Sequence, residues 1–132
     1  MIFTELVIEN FGAYAGKQTI NLRPENGDVI QPIILFGGMN GGGKTTLMDA
    51  IRLALYGQRA RCSTRGNLGY GDFLTQSVNS QAKQVDLTQV QLSFEHIFEG
   101  HWQQFKIIRA WQKNPQDGKD SLSIERESRF DS

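Results

Sequence analysis

IILFGGMNGGGKTTLMDAIRLALYG, residues 33–57, is the stretch on which the reading of this chain turns. Ile33-Ile34-Leu35-Phe36 is a short unbroken apolar run, the pattern of a strand buried on both faces. Gly38 to Thr45 then spells GxxxxGK[ST] in full. From Thr45 to Tyr56 apolar residues return at helical spacing: Leu47, Ile51, Ala54 and Leu55, with Met48 and Leu53 widening the stripe. Gly57 stands where such a helix stops. Buried strand, glycine loop and helix, in that order, are what a phosphate-binding loop requires. A flexible connector has no need of them.

The chemistry expected of this segment follows from its residue types. Glycines let successive backbone N–H groups curl inward into a cradle that no side chain blocks. A helix starting near Lys44 adds its positive dipole end to that cradle. Lys44 is expected to reach the β- and γ-phosphates, and the Thr45 hydroxyl to ligate Mg²⁺; these two are the catalytic candidates. Thr46 is placed to hydrogen-bond the α-phosphate, and Asn40 to shape the turn. The expected cofactors are ATP and Mg²⁺, held by Gly38, Asn40, Gly41, Gly42, Gly43, Lys44, Thr45 and Thr46. No apolar strand ending in Asp supplies a second acidic motif, and no Asn-Lys-x-Asp sequence reads guanine. The chain is thus equipped to bind ATP, but no residue in it is suited to activate the attacking water.

Composition sets the outer bounds. The 132 residues carry 14 Lys plus Arg against 14 Asp plus Glu, a formal net charge of zero. That excludes a generally basic nucleic-acid coat and an acidic disordered tail, while leaving local patches open. Length and a 39% hydrophobic content suit one domain, residues 1–132, with no metal or disulfide staple. Cys62 is the one cysteine, so it has neither a disulfide partner nor a second thiol to clamp zinc. Met1-Ile2-Phe3-Thr4-Glu5 has no basic n-region, and no apolar run approaches membrane-spanning length. The expectation is a cytoplasmic protein with no membrane attachment.

Around the decisive stretch, period-two patterns dominate. IFTELVIENF (2–11) alternates as a strand, Leu6 and Ile8 on one face and Glu5, Val7 and Glu9 on the other. Gly12 and Gly16 are expected to bracket a turn before KQTINL (17–22) returns antiparallel, Ile20 and Leu22 inward. RPENGD (23–28) reads as a turn, residues 57–71 as a glycine-rich basic loop, and DFLTQSV (72–78) as a short helix with Asp72 as N-cap. Val90, Leu92 and Phe94 then alternate with Gln91, Ser93 and Glu95. Glu99-Gly100 turns, WQQFKIIRAW (102–111) runs back, NPQDGKD (114–120) turns again, and LSIER (122–126) is a third strand. The predicted class is α/β: a P-loop NTPase fold with a mixed sheet, one phosphate-loop helix and an antiparallel β-meander.

MIFTELVIENFGAYAGKQTINL (1–22) followed by the 33–57 stretch resembles the N-terminal lobe of the SMC-like, ABC-type ATPases of DNA repair, the SbcC kind among them. The continuation QRARCSTRGNLGYGDFL (58–74) is similar to the DndD family, ATPases of bacterial DNA phosphorothioation. The resemblance implies a head of two lobes separated in sequence by a long coiled coil, and a chain that is the first lobe of a longer protein. It implies that the acidic motif and the signature motif come from the C-terminal lobe. The partners it implies are that lobe, a second head in an ATP-dependent dimer, DNA, and other proteins of the DNA sulfur modification system. Hydrolysis would then belong to the complete head, and the isolated piece would be inactive. Two departures stand out. Many relatives carry a basic residue near the phosphates where this chain has Gly12, after Asn10-Phe11, and no Gln here matches their Mg²⁺-contacting one.

Other residues have readings of their own. Arg52, Arg59, Arg61 and Arg65 are the only charges between Asp49 and Asp72, suited to DNA phosphates, nucleotide or an opposing head, or simply to a solvated loop. Cys62 reads as inert, and His96 and His101 as ordinary turn residues. Trp102, Phe105, Ile107 and Trp111 read as core-packing faces, with a base-stacking platform as the sharper alternative. Two further functions stay open: a small P-loop kinase acting on a metabolite, and a nucleotide-dependent interaction module without turnover.

Overall fold

The computed structural model describes residues 1–22, 42–60, 62, 66–83, 85–113, 115 and 118–128, with backbone alone at 42–44 and 127–128. The turn expected at 23–28, the strand Ile33–Phe36 and the Gly38–Gly41 part of the loop lie outside the described residues.

The alternating opening segment forms β1 (Ile2–Phe11), which pairs antiparallel with β2 (Tyr14–Asn21) on one side and β3 (Thr88–Phe98) on the other. β4 (His101–Trp111) and β5 (Ser121–Ser128) complete a five-stranded sheet of order β2-β1-β3-β4-β5. The meander is as expected. The sheet is not mixed among the described residues: every pairing in it is antiparallel. The strand expected at residues 33–36, which would make it mixed, is outside those residues. At the β3–β4 hairpin Glu99 and Gly100 have φ of 52° and 81°, and Phe98 opposes His101. Two positive φ values are what a two-residue type I′ turn demands, and its twist matches that of the strands it joins.

Two helices complete the described fold, α1 (Gly42–Tyr56) and α2 (Tyr70–Ser77). α1 lies against β3, β4 and β1. Leu6, Ile8, Val90 and Leu92 of the sheet and Leu47, Ala50, Leu53 and Ala54 of α1 are all 0% exposed. Each fully buried Leu or Val contributes about 1.5–3 kcal/mol relative to exposure. The helical stripe read from sequence is therefore the face on the sheet, with Met48 and Leu55 packed against its margin.

Several details differ from expectation. α1 begins at Gly42, not Thr45, so the last glycines of the motif already have helical backbone. α2 begins at Tyr70, and its N-cap is Gly69 with no side-chain cap bond; Asp72 sits instead in the first turn, where its charge faces the positive helix end. β2 resumes at Tyr14, so Gly16, with φ of 72°, lies inside the strand. Val7 and Glu95, read as lying on the face opposite Leu6, Ile8 and Val90, are also buried, at 6% and 1% exposed. Both stand on inner strands of the sheet, where neighbours cover them from two sides: Thr19 and Gln91 flank Val7, Ile2 and Gln104 flank Glu95.

β4 anchors both helices. Arg109 Nε donates to the Ala54 carbonyl at 3.1 Å, and Trp111 Nε1 to the Leu74 carbonyl at 2.9 Å. Each acceptor belongs to the last turn of its helix, where carbonyls have no intrahelical partner. Residues two apart on a strand share a face, so one face of β4 reaches both helix ends. Trp111 also meets Phe11 edge-on, ring centroids 6.0 Å apart.

Candidate functional site

The candidate site starts at the N-terminus of α1. Gly42, Gly43 and Lys44 have helical backbone, and no acidic residue occupies the first turn to repel an anion. Gly38, Asn40 and Gly41 lie outside the described residues, so what can be placed is the helical half of the predicted cradle. Thr45 is half-buried and Thr46 is 9% exposed. A half-buried hydroxyl on the first turn of a helix stands at its positive end, the kind of group that can reach a phosphate or a phosphate-borne cation.

The β1–β2 turn closes against this helix end. Ala13 N–H donates to Thr46 Oγ1 at 3.2 Å. Gly12 has φ of 55°, and a β-carbon there would lie 2.6 Å from Thr46 Cγ2 and 2.7 Å from Thr46 Oγ1. A side chain at position 12 is thus opposed twice, by backbone conformation and by Thr46. The turn packs so close to α1 that a basic side chain at position 12 has no room.

The turn itself is pinned from the far side. Asn10, in the left-handed region at φ of 53°, accepts at its carbonyl from Asn79 N–H at 2.8 Å and from Thr88 Oγ1 at 3.3 Å. Gly12 N–H donates to the Ser77 carbonyl at 2.6 Å, and Asn79 Nδ2 to the Gly12 carbonyl at 2.9 Å. Asn10 and Asn79 are functional candidates that the sequence reading did not single out. Asn10 had a signal, since Asn tolerates positive φ and precedes Phe-Gly. Asn79 had none, because its partners in the β1–β2 turn, Asn10 and Gly12, lie across a long span of chain.

Other candidates separate. Arg52 NH1 pairs with Asp49 Oδ1 at 3.0 Å on the same helix, which removes it from the basic group. Arg59 is exposed at the end of a 3₁₀ turn, Gly57–Arg59, while Arg61 and Arg65 lie outside the described residues. Cys62 is buried, its thiol 3.5 Å from the Asp49 carbonyl, as an inert residue would be. His96 and His101 are exposed, and among the described residues no three His, Cys, Asp or Glu gather as a metal group. Trp111 is buried in the core, whereas Trp102, Phe105 and Ile107 are half-buried.

Residues 5–129, spanning the loop, both helices and nearly the whole sheet, match the AAA domain family. The chain belongs to the AAA domain family. This AAA domain is also similar to the SbcC subunit of the SbcCD nuclease of Vibrio cholerae serotype O1, 35% identical over 91 residues, which cover 69% of the chain and 8% of that protein. It is likewise similar to the SbcC subunit of the SbcCD nuclease of Treponema pallidum, 42% identical over 53 residues, 40% of the chain and 5% of that protein. The chain therefore spans less than a tenth of the length of these relatives. Together the likenesses support an SMC-like ATPase lobe of the SbcC kind. They do not bear on DNA phosphorothioation. Among the described residues, no helix of the AAA domain is long and apolar enough to cross a membrane.

Proposed function

We propose that this AAA domain is the ATP·Mg²⁺-binding N-terminal lobe of an SMC-like ATPase that acts on DNA. The observation that carries the reading is the full GxxxxGK[ST] sequence at Gly38–Thr45 running into α1 at Gly42. Lys44 would hold the β- and γ-phosphates as a point charge, Thr45 would ligate the metal, and the amide groups of Gly38 to Gly43 would line the cradle, with Asn40 shaping it. Bound Mg²⁺ would neutralise phosphate charge during transfer. Thr46, its hydroxyl oxygen engaged by Ala13, keeps a proton to donate to phosphate. Asp49, the acidic residue of α1, is buried and paired with Arg52, so it is not a water-positioning carboxylate. That carboxylate would come from a C-terminal lobe and the remaining stabilisation from a second head, with hydrolysis a property of the assembled dimer.

The finer reading places the protein in the DNA sulfur modification system, with the other proteins of that system as partners in the cytoplasm. Its support is the similarity of QRARCSTRGNLGYGDFL to the DndD family. Calorimetric titration with Mg·ATP tests the central claim. The wild type should bind, and Lys44→Ala, acting through charge on phosphate and not through packing, should lose affinity at least about tenfold while staying folded. Equal affinity in the two proteins would discard the phosphate cradle.

A further inference from the structure

Asn79 lies outside the phosphate-loop motif, yet it is 7% exposed and its backbone N–H and side-chain amide are all engaged. Its backbone N–H donates to the Asn10 carbonyl at 2.8 Å, its Nδ2 to the Gly12 carbonyl at 2.9 Å, and its Oδ1 accepts from Gln81 N–H at 2.9 Å. The Gly12 carbonyl and the Ala13 N–H belong to one peptide unit. That unit is planar and trans, so its oxygen and its hydrogen point in opposite directions. Asn79 holds the oxygen end, and the hydrogen end donates to Thr46 Oγ1 at 3.2 Å. One rigid amide thus spans Asn79 and Thr46.

We infer that Asn79 is a positioning residue for nucleotide binding, acting through the Gly12–Ala13 peptide to set the Thr46 hydroxyl. The inference rests on the nucleotide reading above. Glycine at position 12 leaves this peptide free to rotate unless something holds it, and Asn79 Nδ2 holds its oxygen end from the side away from Thr46. With its oxygen fixed, the amide presents N–H to Thr46 in one direction. The hydroxyl oxygen accepts there, and its proton is left for a phosphate oxygen. Hydrogen bonds in such a chain polarise one another, so the Asn79 bond also strengthens the bond that Ala13 makes.

The test is a double-mutant cycle on Mg·ATP affinity in the intact protein, with Lys44→Ala beside it. Asn79→Ser should weaken affinity about fivefold to tenfold, and Thr46→Val about tenfold or more. Asn79→Ser in the Thr46→Val background should cost nothing further, because the hydroxyl it positions is gone. Multiplying losses, or a lower melting temperature with unchanged affinity, would reduce Asn79 to a structural role and overturn the inference. A second measurement needs no Asn79 variant: with asparagine selectively labelled, the Asn79 Nδ2 resonance should shift when Mg·ATP is added, and should not in Thr46→Val. An unmoved wild-type resonance with Lys44-dependent binding intact overturns the inference alone. Binding that is absent, or indifferent to Lys44→Ala, takes the nucleotide reading down with it.

Discussion

The guanidinium of Arg109 lies where Gly57 would carry its β-carbon: the ideal Cβ position is 2.7 Å from Arg109 Cζ. Gly57 follows the last residue of α1 at φ of 54°, and Arg109 Nε reaches back to the Ala54 carbonyl in that helix's final turn. A strand residue thus caps the helix end and brings positive charge to its negative pole. Gly57→Ala should cost at least about 2 kcal/mol, since the left-handed conformation alone penalises an L side chain by about 1–2 kcal/mol and the guanidinium must also move. Chemical denaturation measures it; a loss under about half a kcal/mol would show that the helix end rearranges freely.

Arg109 also bonds Asp120 Oδ2 through NH1 at 3.0 Å, the two side chains being 13% and 8% exposed. Removing one member of so buried a pair leaves the other uncompensated, so Arg109→Gln should destabilise by about 3–5 kcal/mol. Asp120→Asn added to Arg109→Gln should cost much less than it does alone. Strict additivity in unfolding free energies would argue that the pair is not coupled.

Gly12→Ala should destabilise the domain through both its φ of 55° and its approach to Thr46. Thr46→Ala in the same chain removes the atoms in the way and should recover part of the loss. About 1–2 kcal/mol would remain for backbone conformation. Placing the basic residue Arg at position 12 should be at least as damaging as Ala. A neutral Gly12→Arg in thermal unfolding would contradict this packing.

Trp111→Phe keeps the edge contact with Phe11 but deletes the donor to the Leu74 carbonyl. The expected cost is about 1–3 kcal/mol, that of leaving a buried acceptor unmet. Amide exchange should rise through α2 first, because this bond ties that helix to β4. Uniform exchange across both helices would place the bond's effect elsewhere.

Arg59 is exposed at the end of its 3₁₀ turn. If it acts with Arg61 and Arg65 on DNA, replacing all three with Gln in the intact protein should weaken DNA binding and flatten its salt dependence. Unchanged salt slopes would return the loop to solvent.

Local chemistry made much of this protein legible in its sequence. The alternation of IFTELVIENF, of Val90-Leu92-Phe94 and of the 102–111 segment marked strands. The three- and four-residue steps from Leu47 to Leu55 could serve only a helix, and Gly57 ended it. Glu99-Gly100 made the hairpin, and the proposed ligand chemistry rests on GxxxxGK[ST], a single string. What the sequence left open depends on residues far apart in the chain. Which strands neighbour which, and hence that Val7 and Glu95 are covered, follows from the order β2-β1-β3-β4-β5. That Gly12 faces Thr46, that Arg109 and Trp111 close the helix ends, and that Asn79 grips the Gly12 peptide are likewise decided only on folding. Periodicity reports whether a side chain faces inward or outward, but a hydrogen bond across a long loop has no period. Its partners are selected by the packing of the whole domain, which brings distant polar groups together as it buries them.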